Sequence, residues 1–159
     1  MKIKNLKLVF LYKSFLFTGV QFETDNKELE SIVKALNIKD KTKRLEFIYD
    51  SACSMLDAQF QGANVCGFKN NQCYTQHCTK LTNGCCRKCI YQSSKGCTTS
   101  NLTCKLFYCG EVTKRYKVLT VKNLTILKCL SKRQQIILQH DYFSSREEFL
   151  ADLKINSLI

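Results

Sequence analysis

The side chains able to do chemistry are gathered in one stretch. Residues 66–109 hold nine of the eleven cysteines, Cys66, Cys73, Cys78, Cys85, Cys86, Cys89, Cys97, Cys104 and Cys109, together with His77. No Asp or Glu occurs there or in the wider run 58–110, whereas Lys69, Lys80, Arg87, Lys88, Lys95 and Lys105 lie among the thiols. A stretch this rich in sulfur is not an ordinary apolar core; metal ions, an iron–sulfur cluster or disulfides must hold it. Zinc takes four tetrahedral ligands from Cys and His, and iron–sulfur clusters also use Cys thiolates. Nine thiols and one imidazole can fill two four-ligand sites. Only Cys86 and Cys89 have the two-residue gap that turns both sulfurs onto one ion, so the regular pairing of a zinc ribbon is missing. The neighbours Cys85 and Cys86 diverge; either they serve two sites and tie them together, or one is a ligand and the other is buried. His77 either completes a Cys3His site with Cys66, Cys73 and Cys78 or is an exposed loop residue.

Other chemistries find less support. No cysteine is singled out as a nucleophile beside a base. The six glycines are isolated, so no Gly-rich phosphate loop precedes a helix. Thr82 stands where a radical S-adenosylmethionine motif would need its first cysteine. The chain reads as a binding protein rather than an enzyme, with no catalytic residue assigned.

A chain of 159 residues with net charge +12 suggests one domain and an acidic partner, either nucleic acid or an anionic membrane surface. Ligating thiols are thiolates, so each four-cysteine zinc site carries a net negative charge, and about half of the basic excess compensates such a centre. The cysteine count is odd, no signal-peptide cleavage site follows the apolar run at 8–20, and no stretch approaches the ~20 apolar residues of a membrane span. These features indicate a cytoplasmic protein, where thiols stay reduced and clusters of them bind metal. A secreted disulfide scaffold is the competing reading.

The flanking elements must position the cluster. Residues 1–24 suggest a helix, packed on the domain or lying on a membrane surface with Lys2, Lys4, Lys7 and Lys13 on its polar face. Asp25 with Glu28 makes a capping pattern for a helix with Leu29, Ile32, Val33 and Leu36 on one face, stopping near Asn37. Asp40 or Thr42 opens the next helix. Leu45, Ile48, Ala52, Met55, Leu56 and Phe60 mark its buried side, Cys53 packs as a small hydrophobe, Asp50 and Asp57 are solvated, and Gly62 is the end. Residues 62–110 read as loops and short helical turns. Beyond them Asn123 caps a helix over 124–130, Ser131 with Gln134 caps another to Gln139, and Ser145 with Glu148 caps a last one burying Phe149, Leu150, Leu153 and Leu158.

Two resemblances add to this reading. Gly84-Cys85-Cys86-Arg87, then Gly96-Cys97, then Cys104-Lys105-Leu106-Phe107-Tyr108-Cys109 resembles the YkgJ-type cysteine-cluster family, whose members are regarded as zinc- or iron-binding. The likeness covers residues 84–109. No Cys-x-x-Cys precedes Gly84 as in that pattern, and Thr103 replaces the usual proline. Residues 130–138 resemble the opening helix of a sigma-factor helix-turn-helix, with 147–153 as its next helix. Lys114, Arg115, Lys117, Lys122, Lys128, Lys132 and Arg133, with Tyr108 and Tyr116, form a candidate phosphate-contacting surface, or else a solvated helix face.

The expected architecture is therefore mainly α: an N-terminal helical segment (1–61), a central irregular, metal-stabilised cysteine-rich core (62–110) and a basic C-terminal helical segment (111–159), packed as one unit. The expected function is binding of zinc, with an iron–sulfur cluster as the alternative, and interaction with a partner such as nucleic acid. An iron–sulfur redox, metal-handling or enzyme-accessory role is the second reading.

Overall fold

The structure, a computed structural model, describes residues 1–63, 68–69, 72–73, 91–93, 96–97, 99–108 and 110–155. Helices dominate these residues, and none is long and apolar enough to cross a membrane.

The first unit is not the continuous helix expected over 1–24. Asn5 caps a short helix, α1 (Leu6–Tyr12), accepting hydrogen bonds from the backbone N–H groups of Lys7 and Leu8, and a 3₁₀ turn (Lys13–Phe17) follows. Gly19, at φ +74°, turns the chain back. Residues on either side then pair as extended backbone: Ile3 N–H donates to the Glu23 carbonyl at 2.8 Å, and Glu23 N–H to that of Met1 at 2.9 Å. This pairing buries Ile3 and Phe22 together, which a single helix would not allow. The Asn37 side chain donates to and accepts from the backbone of Phe22, both at 2.8 Å, as a neighbouring strand would. Asn37 also ends α2 (Glu30–Asn37), which a 3₁₀ turn (Lys27–Leu29) precedes. The cap of that turn is Asn26 rather than Asp25. Leu29, Ile32, Val33 and Leu36 are buried as their spacing requires, against Ile3, Val9 and Phe22.

The central element is α3 (Lys41–Ala63), opened by Asp40, whose carboxylate accepts from Lys43 N–H at 2.7 Å. Leu45, Ile48, Tyr49, Ala52 and Leu56 recur at helical spacing and are buried. Met55, expected in the core, is 37% exposed and lines a shallow groove against residues 27–34. Nor are the two aspartates merely solvated. Asp50 takes a two-pronged ion pair from Arg146 (2.8 and 2.6 Å), and Asp57 pairs with the buried Lys105.

Where irregular loops were expected, there are two short antiparallel hairpins: β1 (Phe68–Lys69) with β2 (Gln72–Cys73), and β3 (Gln92–Ser93) with β4 (Gly96–Cys97). The segment after them is fastened into the core. The buried hydroxyl of Tyr49 donates to the Ser100 carbonyl and accepts from Leu102 N–H, each at 2.9 Å. Asn101 caps α4 (Leu102–Leu106), and its side-chain amide donates to the carbonyls of Asp141 and Ser144. Thr103 donates to the Leu138 carbonyl at 2.6 Å.

A short helix, α5 (Gly110–Arg115), follows. The helix expected over 124–130 is a 3₁₀ turn (Thr125–Cys129), with Asn123 bonded back to Thr120 rather than forward as a cap. Ser131 and Gln134 form a reciprocal capping box on α6 (Lys132–His140). Ser145 and Glu148 make the same exchange at α7 (Arg146–Ile155), and those bonds hold the Glu148 carboxyl below its ordinary pKa. Phe149 lies 5.4 Å from the Tyr49 ring, and Leu150 and Leu153 are buried beside it; Leu158 lies outside the described residues. The main core thus draws on α3, α4, the 125–129 turn, α6 and α7.

Replacing Tyr49 by Phe removes one oxygen and leaves two backbone groups without their partner. The expected outcome is a loss of about 1–3 kcal/mol in unfolding free energy, the cost of unsatisfied buried polar groups, measured by urea titration. An unchanged midpoint would show that the hydroxyl is not a structural tie.

Candidate functional site

Of the nine cysteines expected to bind metal, the described residues include three. Cys73 and Cys97 hold equivalent stations, each the last residue of its hairpin and paired with the first: Phe68 opposite Cys73, Gln92 opposite Cys97. Cys104 sits in α4, half-buried, and its thiol donates to the Tyr142 carbonyl at 3.2 Å. Cys66, Cys78, Cys85, Cys86, Cys89, Cys109 and His77 lie outside the described residues. Among the described residues no three His, Cys, Asp or Glu side chains converge as a metal-binding group.

The donor chemistry of the run suits a soft or borderline ion. Thiolates select zinc and iron–sulfur clusters, whereas Ca²⁺ and Mg²⁺ require oxygen donors, and 58–110 contains no carboxylate to supply them. Cys104 would have to give up its proton and its bond to Tyr142 to become a ligand.

The two cysteines outside the run are half-buried, as Cys104 is. Cys53 faces the Ser100 carbonyl at 3.8 Å, and burial pushes its pKa up to about 12. Cys129 packs against both hydrophobic clusters; burial pushes its pKa up to about 11, opposed by the nearby cations of Lys13 and Arg44. Both are protonated, packed thiols. Lys13 is turned inward as well, donating to the Lys128 carbonyl at 3.3 Å and lying 5.5 Å from the Phe10 ring centre. It is therefore not on an outward polar face of α1.

A second feature adjoins α4. Lys117, Lys122, Lys132 and Arg133 are exposed and Lys128 is half-buried; none makes an ion pair among the described residues. Lys105, counted among the cations of the run, is instead consumed by Asp57. The end of α4, residues 120–122 and one side of α6 enclose a groove of about 910 Å³. Phe107, Tyr108 and Tyr142 contribute rings to it, Lys122 and Lys128 contribute cations, and among the described residues no carboxylate lines it. Gln59, near the end of α3, positions this wall: its amide donates to the Lys117 carbonyl and accepts from Leu119 N–H and the Tyr108 hydroxyl.

Tyr142 and Gln139 were not among the expected site residues. The available signal was the scarcity of acid, which extends to residue 140 with Glu111 as its single interruption. Residues 58–140 carry thirteen Lys and Arg against one carboxylate, Glu111, so this segment holds the whole +12 and the remainder is neutral. No family model, no curated protein and no solved structure matches the chain.

The raised thiol pKa values have a signed consequence. The native state holds the protons of Cys53 and Cys129 more tightly than an ordinary thiol of pKa 9.0. Their contribution to stability is complete below about pH 9 and is lost as pH rises through 11 to 12. The urea midpoint should fall across that window, and Cys129→Ala should lessen the fall. Neither thiol should be alkylated by iodoacetamide in the native protein at pH 7; rapid labelling of either would contradict its assignment as packed.

Proposed function

We propose that the chain is a cytoplasmic metal-binding cysteine-cluster protein, with zinc as the first metal, acting as an interaction module for nucleic acid. The observation that carries this reading is the segregation of the cysteines. Nine lie in a run without a carboxylate, while the other two, Cys53 and Cys129, are packed and protonated. Short polar segments of this kind need a covalent or metal staple, and reduced thiols in the cytoplasm favour metal over disulfide. The ligands would be drawn from Cys66, Cys73, Cys78, Cys85, Cys86, Cys89, Cys97, Cys104 and Cys109. The resemblance of residues 84–109 to YkgJ-type clusters agrees with a zinc or iron centre. The cations after α5, which make no ion pair among the described residues, would supply the phosphate-contacting surface. An iron–sulfur redox or metal-handling protein is the second reading, favoured by the same thiolate set.

A chelator separates the metal reading from a disulfide scaffold. Zinc removal should expose residues 64–109 to limited proteolysis under reducing conditions, since metal binding to such segments is coupled to their folding. Cys86→Ala should do the same without chelator, whereas Cys53→Ala should keep both metal and protease resistance. A Cys86→Ala protein that stays folded with its full metal content would remove Cys86 from the site. Retention on nucleic acid should fall steeply with salt, as phosphate contacts require; salt-independent retention would exclude the basic surface as its cause.

A further inference from the structure

The groove between α4, residues 120–122 and α6 has a composition that a solvated helix face does not need. Phe107 is 47% exposed and Tyr142 41%, although both stand beside apolar residues that are buried. Their rings meet edge to face, 6.3 Å apart at 86°. One ring of such a pair presents its edge, so its partner covers neither of its faces. Lys122 and Lys128, from residues 120–128, line the same groove. Gln139, exposed on α6, adds an amide able to donate and accept. Gln135 is already committed to the carbonyls of Leu127 and Leu130, which fixes that part of the lining.

From this arrangement we infer that the groove is a binding site for single-stranded nucleic acid, with bases stacked on Phe107 and Tyr142 and phosphates held by Lys122 and Lys128. The inference rests on the nucleic-acid reading proposed above and deepens it. Three observations select this occupant. All of the groove's lining except Tyr142 lies in the segment that holds the entire +12 charge, and its two cations make no ion pair among the described residues. Exposed aromatic rings serve a strand whose base faces are free, whereas a duplex keeps those faces stacked. The surface is also concave, while duplex reading inserts a convex helix or ribbon into a groove of the nucleic acid.

The test uses full-length, metal-loaded protein and a fluorescently labelled thymidine oligonucleotide, alone or annealed to its complement. Binding is followed by anisotropy over a series of salt concentrations. The single strand should bind more tightly than the duplex. Tyr142→Leu and Phe107→Leu should each weaken it by about 5- to 100-fold, the range for loss of one base–aromatic stack. Lys122→Gln should lower the salt slope by about one. Metal content and circular dichroism of every variant report whether the cysteine run is intact. Should a ring variant lose its fold, photo-crosslinking of a 4-thiouridine strand to the wild-type protein replaces it, with adducts expected at Phe107 or Tyr142.

Failure of the groove and failure of the wider reading differ. If the strand and the duplex bind alike, the ring variants are silent and crosslinks map elsewhere, the groove is overturned while a basic surface survives. If the wild type binds neither form, both fall. If polyglutamate competes as well as the oligonucleotide does, the site recognises polyanions in general, and the assignment of bases to the rings is wrong.

Discussion

Two polar side chains fasten the end of the cysteine run to the helical core, and the rest of the molecule is arranged around that attachment. Tyr49 holds Ser100 and Leu102 from one side, and Asn101 holds the 141–144 turn from the other. Between them they commit one hydroxyl and one amide to five backbone groups, counting the cap that Asn101 gives Cys104. Burial raises the pKa of Tyr49, which keeps the hydroxyl neutral and able to donate. Because Asn101 also caps α4, the placement of Cys104, of the buried Lys105 and of the ring of Phe107 all follow from the same tie. The Asp50–Arg146 pair then locks α7 to α3 from outside.

The elements most legible in the sequence were those built from local rules. The capping patterns of Ser131 with Gln134 and Ser145 with Glu148 needed only four residues each, and both are formed. The stripe Leu29, Ile32, Val33 and Leu36 needed only helical period. What escaped was set by distant partners. Periodicity alone does not show that residues 1–3 pair with 21–23, because the same apolar residues serve helix and strand. Tyr49 looks like any half-polar aromatic until Ser100 and Leu102 are beside it. Asp50 and Asp57 look solvated until Arg146 and Lys105 reach them from far along the chain. At the candidate site the cysteines announced themselves by type and density, but Tyr142 and Gln139 became visible only when α4 and α6 enclosed a common groove.

Charge gives the chain a division that its helices do not. The segments 1–57 (+2) and 141–159 (−2) cancel each other's charge, and the run between them is almost free of acid. A thiolate centre there would draw on some of that positive charge, and phosphates on the rest. The two proposed roles are electrostatically compatible for this reason: scarcity of carboxylate favours soft metal ligation and leaves thirteen cations against the single acid Glu111 in residues 58–140. Among the cations of residues 58–140, Lys105 is neutralised by Asp57 as part of the core.

The central claim is that metal, and not disulfide, organises residues 66–109. It is tested most directly by metal analysis with an ultraviolet–visible spectrum on protein purified without oxygen. The account predicts colourless protein with about two zinc ions per chain, as nine thiols in four-ligand sites allow. Iron with labile sulfide and visible absorption would keep the thiolate centre but replace the binding module with redox chemistry. Protein with no metal and oxidised thiols would contradict the account.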